Sequence, residues 1–80
     1  MQITVRLLAS YRQYLPENRD TQAGYRLQVP DSATAGNVLP LLPLPPNEVC
    51  TFLVNGRHAE RSAVLQEGDV LSVFPAAGGG

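Results

Sequence analysis

The residues best suited to chemistry stand at the end of the chain, which reads Pro75-Ala76-Ala77-Gly78-Gly79-Gly80. Glycine has no Cβ, so a glycine run can pass close to another surface or thread a tunnel that any side chain would block. At roughly 3.3 to 3.6 Å per residue the segment after Pro75 reaches on the order of 15 Å. That is enough to deliver the Gly80 carboxylate into a buried site on another protein. Taken alone, a glycine end also fits a frayed terminus or an appended remnant.

The other chemically capable residues read more simply as structure. His58 is the only histidine and follows an Asn55-Gly56 pair, which suits exposure in a hairpin and cannot assemble a metal site. Cys50 opens an apolar run with no base or second cysteine beside it, as expected of a small buried filler. Glu67 and Asp69 flank Gly68 and read as turn residues rather than as a catalytic acid pair. The arginines are scattered, and Arg57 and Arg61 read either as a rim around a partner surface or as solvated edge residues. Lysine is absent, so no side-chain amine exists here to attack an activated carboxyl group on the same chain.

Eighty residues with a formal net charge of −1 define one small domain, too short for a deep catalytic cleft. No basic stripe is available to neutralise a phosphate backbone, which argues against nucleic acid as a partner. One cysteine, no secretory signal and no apolar run near the roughly 20 residues of a membrane span point to a cytoplasmic setting. The longest apolar stretch, residues 38–44, is interrupted by prolines.

These chemical groups need a scaffold, and the hydrophobic pattern supplies one. Residues 2–9 alternate, with Ile3, Val5 and Leu7 on one side, and Tyr25, Leu27 and Val29 alternate likewise before Pro30. The connection between them is too long for a tight hairpin. Ser10 as a cap, with Tyr11, Tyr14 and Leu15 at helical spacing, predicts one helical turn there. Ser32 or Thr34 can cap a short helix distorted by Pro40, with Val38, Leu39 and Leu42 on one face. Asn37 is the alternative cap, placing Pro40 in the first turn. Residues 51–54 and 57–59 form a hairpin about Asn55-Gly56, and residues 70–74 form a last strand closed by Pro75. A mixed sheet packed on one helix satisfies that order, with the first and last strands parallel neighbours in its centre. Leu8, Leu53, Val70 and Phe74 then gather on the uncovered face, either as a partner-binding patch or tucked under a loop and at the sheet edge. Phe74 and Pro75 immediately precede the tail.

The run from Ile3 to Ala9, the Leu53-Val54-Asn55-Gly56-Arg57 turn, the segment Leu65-x-x-Gly68-Asp69-x-Leu71-x-x-Phe74-Pro75 and the glycine end occur in that order over nearly the whole chain. In that order they resemble the sulfur-carrier superfamily of molybdopterin-synthase small subunits and thiazole-synthesis carriers, and the long connection after Ser10 looks more like the molybdopterin branch. The resemblance implies an α+β, ubiquitin-like β-grasp fold, a mixed sheet of four to five strands on one main helix, with residues 1–75 as the domain and 76–80 as a flexible tail. It implies a carrier cycle with no bound cofactor. An adenylating enzyme spends ATP on the Gly80 carboxylate, a persulfide donor supplies sulfur, and the thiocarboxylate passes it on. The acceptor is a pterin precursor held by a large subunit, which leads to a molybdenum or tungsten cofactor, or a thiazole, tRNA or cysteine pathway.

Catalytic residues then belong to the partners, while Gly78 and Gly79 thread the partner's tunnel and Leu8, Leu53, Val70, Phe74 and Pro75 dock. The family commonly ends in two glycines where this chain has three, so trimming to Gly79 is an alternative. Pro40 interrupts a helix that the family keeps continuous. A ubiquitin-like modifier joined to target lysines through the same terminus, and an interaction module with an inert tail, are the competing readings. Without lysine the chain cannot build side-chain-linked polymers of itself.

Overall fold

The computed structural model describes residues 1–15 and 24–76. Five strands form one sheet: β1 (Gln2–Leu7), β2 (Tyr25–Gln28), β3 (Cys50–Val54), β4 (Arg57–Ala59) and β5 (Val70–Pro75), in the order β2-β1-β5-β3-β4. β1 and β5 run parallel in the centre, with Val5 opposite Leu71 and Leu7 opposite Val73. The other pairings are antiparallel. Because the side-chain period of a strand is two, this register sends Ile3, Val5, Leu7, Phe52, Leu71 and Val73 to one face, where all are buried. Asn55 and Gly56 both have positive φ, 52° and 83°, as the tight hairpin between β3 and β4 requires.

The covering layer is slighter than a single main helix. Its α-helical part, α1, is Ala35–Val38, followed by a 3-10 turn over Leu39–Leu41. Thr34 is the cap: its hydroxyl accepts from the Asn37 N–H at 3.1 Å while the Asn37 side chain accepts from the Thr34 N–H at 3.0 Å. This reciprocal pair makes Asn37 the third helical residue, not the cap. Ser32 does not cap either, since its φ of 68° places it in the preceding turn. Pro40 lacks the amide an α-helix would use, and the backbone responds by tightening into 3-10 geometry. Ala35, Val38 and Leu42 still reach the core, with Leu39 packed beside them.

The predicted turn after β1 is present as a 3-10 segment, Ala9–Tyr14, with a different start. Leu8 holds the cap position and makes no side-chain cap bond. Ser10 lies inside the segment, after Ala9 at φ 54°. The turn drives Tyr11 into the core.

Gly24, which leads into β2, has φ +81°. A Cβ there would sit 2.5 Å from the Val5 carbonyl oxygen and 2.8 Å from the Arg6 Cγ. Gly24→Ala is therefore expected to destabilise the fold by more than about 1 kcal/mol, read as a lowered thermal midpoint, since alanine meets both the left-handed penalty and a backbone clash.

Candidate functional site

The site is built at the end of β5, where the last strand hands the chain to the glycine run. Leu8 donates its N–H to Val73 O at 2.9 Å, and Ala76 donates to Val49 O at 3.0 Å, so the backbone is tied on both sides up to the root of the tail. Gly78, Gly79 and Gly80, the predicted tunnel and reaction residues, lie outside the described residues.

The register fixes the face of each predicted docking residue. Val70 pairs with Thr4, Ser72 with Arg6 and Leu53, and Phe74 with Thr51. These residues alternate with the core-facing set and stand on the face that α1 does not cover, although Ser72 in the middle of that face is itself buried. Leu8 continues the alternation of β1 onto the same face. Leu8, Leu53, Val70 and Phe74 are half-buried, so each offers part of its apolar surface rather than a fully exposed ring or chain. Pro75 does not join them. It pairs with Cys50 and turns to the opposite face. Given this placement, Phe74→Asp is expected to weaken binding to an activating enzyme or large subunit by more than about 2 kcal/mol in a titration, the range of an interface hot spot. An unchanged dissociation constant would put the interface elsewhere, and a lost thermal transition would make Phe74 a core residue.

Across the sheet from that face, Tyr11, Glu48 and Cys50 meet beside the root of the tail. The Tyr11 hydroxyl donates to Glu48 Oε1 at 2.6 Å and lies 3.4 Å from Cys50 Sγ. Burial pushes this hydroxyl well above the usual phenol range, and the hydrogen bonds to Cys50 and Glu48 act in the same direction. Cys50 is thus half-buried and engaged with a tyrosine rather than a plain core filler. Sequence pattern could not reveal this, because the three residues meet only through the β3–β5 pairing and the turn after β1.

The cluster predicts a pH response with a defined sign. Raising the folded-state pKa of Tyr11 means the unfolded chain ionises first, so the stability contributed by the neutral hydroxyl is complete below about pH 10 and declines above it. No lysine titrates in that range. Tyr11→Phe should lower stability at neutral pH by about 1 to 2 kcal/mol and flatten the alkaline decline of the thermal midpoint.

The remaining candidates hold turns. Asp69 Oδ2 accepts from the Gln66 N–H and Oδ1 from Asn55 Nδ2, while Glu67 accepts from the Gln2 N–H. His58 is exposed on β4. Among the described residues no group of three or more His, Cys, Asp or Glu could hold a metal ion, and no helix is long and apolar enough to cross a membrane. A groove of about 630 Å³ on the helix side is lined by Leu39, Leu42, Leu44, Pro46, Val49 and Arg61. Pattern reading missed its exposed rim residue Val49.

This sheet, with its central parallel pair feeding a glycine end, has clear counterparts among solved structures. SAMP1 from Haloferax volcanii superimposes with a TM-score of 0.73 at 22% identity, covering 100% of both chains. A putative molybdopterin converting factor subunit 1 from Pyrococcus furiosus gives 0.74 at 21% identity, covering 95% of this chain and 98% of the other. The HVO 2177 protein of Haloferax volcanii gives 0.74 at 30% identity, covering 100% of this chain and 87% of the other. A search of curated proteins finds no match. The fold is β-grasp, within the ubiquitin-like sulfur-carrier superfamily. The ThiS family model matches residues 5–80, from within β1 through β5 to the glycine run, and the chain belongs to the ThiS family.

Proposed function

We propose that this protein carries sulfur on its C-terminal glycine as a thiocarboxylate and serves as the small subunit of a molybdopterin synthase. The observation that carries the reading is the family match running through β5 to Gly80, on a domain whose last strand ends at Pro75, two alanines before the glycines in the sequence. The carboxylate of Gly80 attacks the α-phosphate of ATP on an activating enzyme and releases pyrophosphate. The terminal sulfur of a persulfide displaces AMP from the acyl-adenylate, and a second thiol cleaves the resulting S–S bond, leaving the thiocarboxylate and a disulfide. Adenylation is needed because the free carboxylate offers no adequate leaving group. This chain contributes the carboxylate, a narrow tail and a docking face, and ATP and the catalytic side chains reside on the partners. The acceptor in this reading is a pterin precursor held by a large subunit, in keeping with the neighbour named molybdopterin converting factor subunit 1.

A second reading, attachment to other proteins, draws on the neighbour named small archaeal modifier protein 1. Reconstitution separates the two. The thiocarboxylated chain is supplied either to a large subunit with pterin precursor or to a lysate of its own source. Dithiolene formation without adducts supports the first reading, and lysine-linked adducts without dithiolene support the second.

A further inference from the structure

The chain leaves the domain at the edge of a groove. Ala76 donates its N–H to the Val49 carbonyl at 3.0 Å, and Val49 lines the groove of about 630 Å³ on the helix side. The root of the tail is therefore bonded to a residue of the groove wall. The side chain of Val49 is 73% exposed, the most open of the large apolar residues among those described. A single exposed valine is ordinary, but this one continues an apolar wall that it shares with Leu42, Leu44 and Pro46. Pro40 and Pro45 also line the groove, and the fixed φ of three prolines leaves little order to impose when something binds there.

The distance from this root to Gly80 says what must cover the groove. In the sulfur-carrier reading Gly80 enters a buried site on the activating enzyme, and it lies four residues beyond Ala76 in the sequence. At roughly 3.3 to 3.6 Å per residue those four residues reach at most about 14 Å. An enzyme that buries Gly80 cannot stand off from the root. The mouth of its tunnel closes on Ala76, and so on Val49, one hydrogen bond away. Phe74 faces the same mouth from the uncovered side of the sheet, and the groove faces it from the helix side.

We propose that the groove beside Val49 is a second docking surface for the activating enzyme, which seats an apolar side chain from the rim of its tunnel mouth against Val49 and Leu44. The inference rests on the sulfur-carrier reading and deepens it. The enzyme then grips the end of β5 from both sides. A protein with a polar rim would lose water from its own polar groups against this wall without pairing them, which penalises proteins that could otherwise admit a glycine tail.

The test is a titration of the full chain into its cognate activating enzyme, with adenylation and thermal unfolding followed in parallel. Val49→Asp is expected to weaken binding by about twentyfold, since a charge replaces apolar surface that the complex buries. Its thermal midpoint should stay at the wild-type value, because the side chain is exposed in the free domain. Val64→Asp is the control for added charge: Val64 is 61% exposed and does not line the groove, so its affinity should be that of wild type. If Val49→Asp lowers the thermal midpoint, Pro46→Glu carries the test, with an expected loss of about fivefold. Equal losses in Val49→Asp and Val64→Asp overturn the inference, because charge alone would then explain them. Unchanged affinity in the groove variants, with the wild-type chain bound and adenylated, overturns it and leaves the carrier reading standing. A dimer of this chain that dissolves in Val49→Asp while affinity for the enzyme is unchanged gives the groove to a second copy and overturns it as well. A wild-type chain that is neither bound nor adenylated overturns the carrier reading and this inference together.

Discussion

A chain permanently extended beyond Gly80 is expected to fold normally and to carry no sulfur. The fold should be indifferent because, among the described residues, the last strand ends at Pro75 and the last backbone hydrogen bond is Ala76 to Val49. The chemistry should be abolished because an added residue converts the reactive carboxylate into a peptide bond, which cannot be adenylated. Thermal unfolding and thiocarboxylate yield are the two readings. An extended chain that forms thiocarboxylate without losing its extension would show that the terminus is not the reactive group. A chain shortened to end at Gly79 completes the series, since equal activity there would allow the third glycine to be trimmed.

Gly79→Val is expected to slow adenylation at saturating ATP by at least about a hundredfold while leaving thermal unfolding unchanged. The carboxylate of Gly80 is still present in this variant, so the loss would report the path to the active site. A β-branched side chain restricts φ and ψ and adds bulk where backbone must pass closely. A normal rate of adenylation and of sulfur transfer would mean that the glycines provide flexibility alone. Gly79→Ala, smaller by two methyl groups, should fall between valine and wild type if width is the controlling factor.

Much of the fold was legible because period-two alternation is decided locally. Ile3, Val5 and Leu7 announce a half-buried strand, and Asn55-Gly56 announces a hairpin whose positive φ values the structure shows. The parallel pairing of β1 with β5 followed from the helical crossover between the sheet halves. Helix starts were less legible, because serine, threonine and asparagine all favour caps and turns and only tertiary context chooses among them. At the covering helix Thr34 is chosen because Asn37 lies three residues on and reciprocates. After β1, the left-handed Ala9 starts the turn and leaves Ser10 without a capping role.

The candidate site divides the same way. Alternation combined with strand order places Leu8, Leu53, Val70 and Phe74 on one face, but the same rule applied one residue further sends Pro75 to the other side with Cys50. The buried Nε of Arg6 and the Tyr11–Glu48–Cys50 cluster were beyond pattern reading. Each depends on residues brought together from distant segments, with Gly24 against Arg6 and Tyr11 against Glu48.

The most direct test of the account is the intact mass of the full chain after incubation with its cognate activating enzyme, ATP and a persulfide donor. The account predicts a rise equal to replacing one oxygen by sulfur, dependent on ATP and located by fragmentation to Gly80. An unchanged mass, in a reaction where a known carrier is thiocarboxylated under the same conditions, would contradict it.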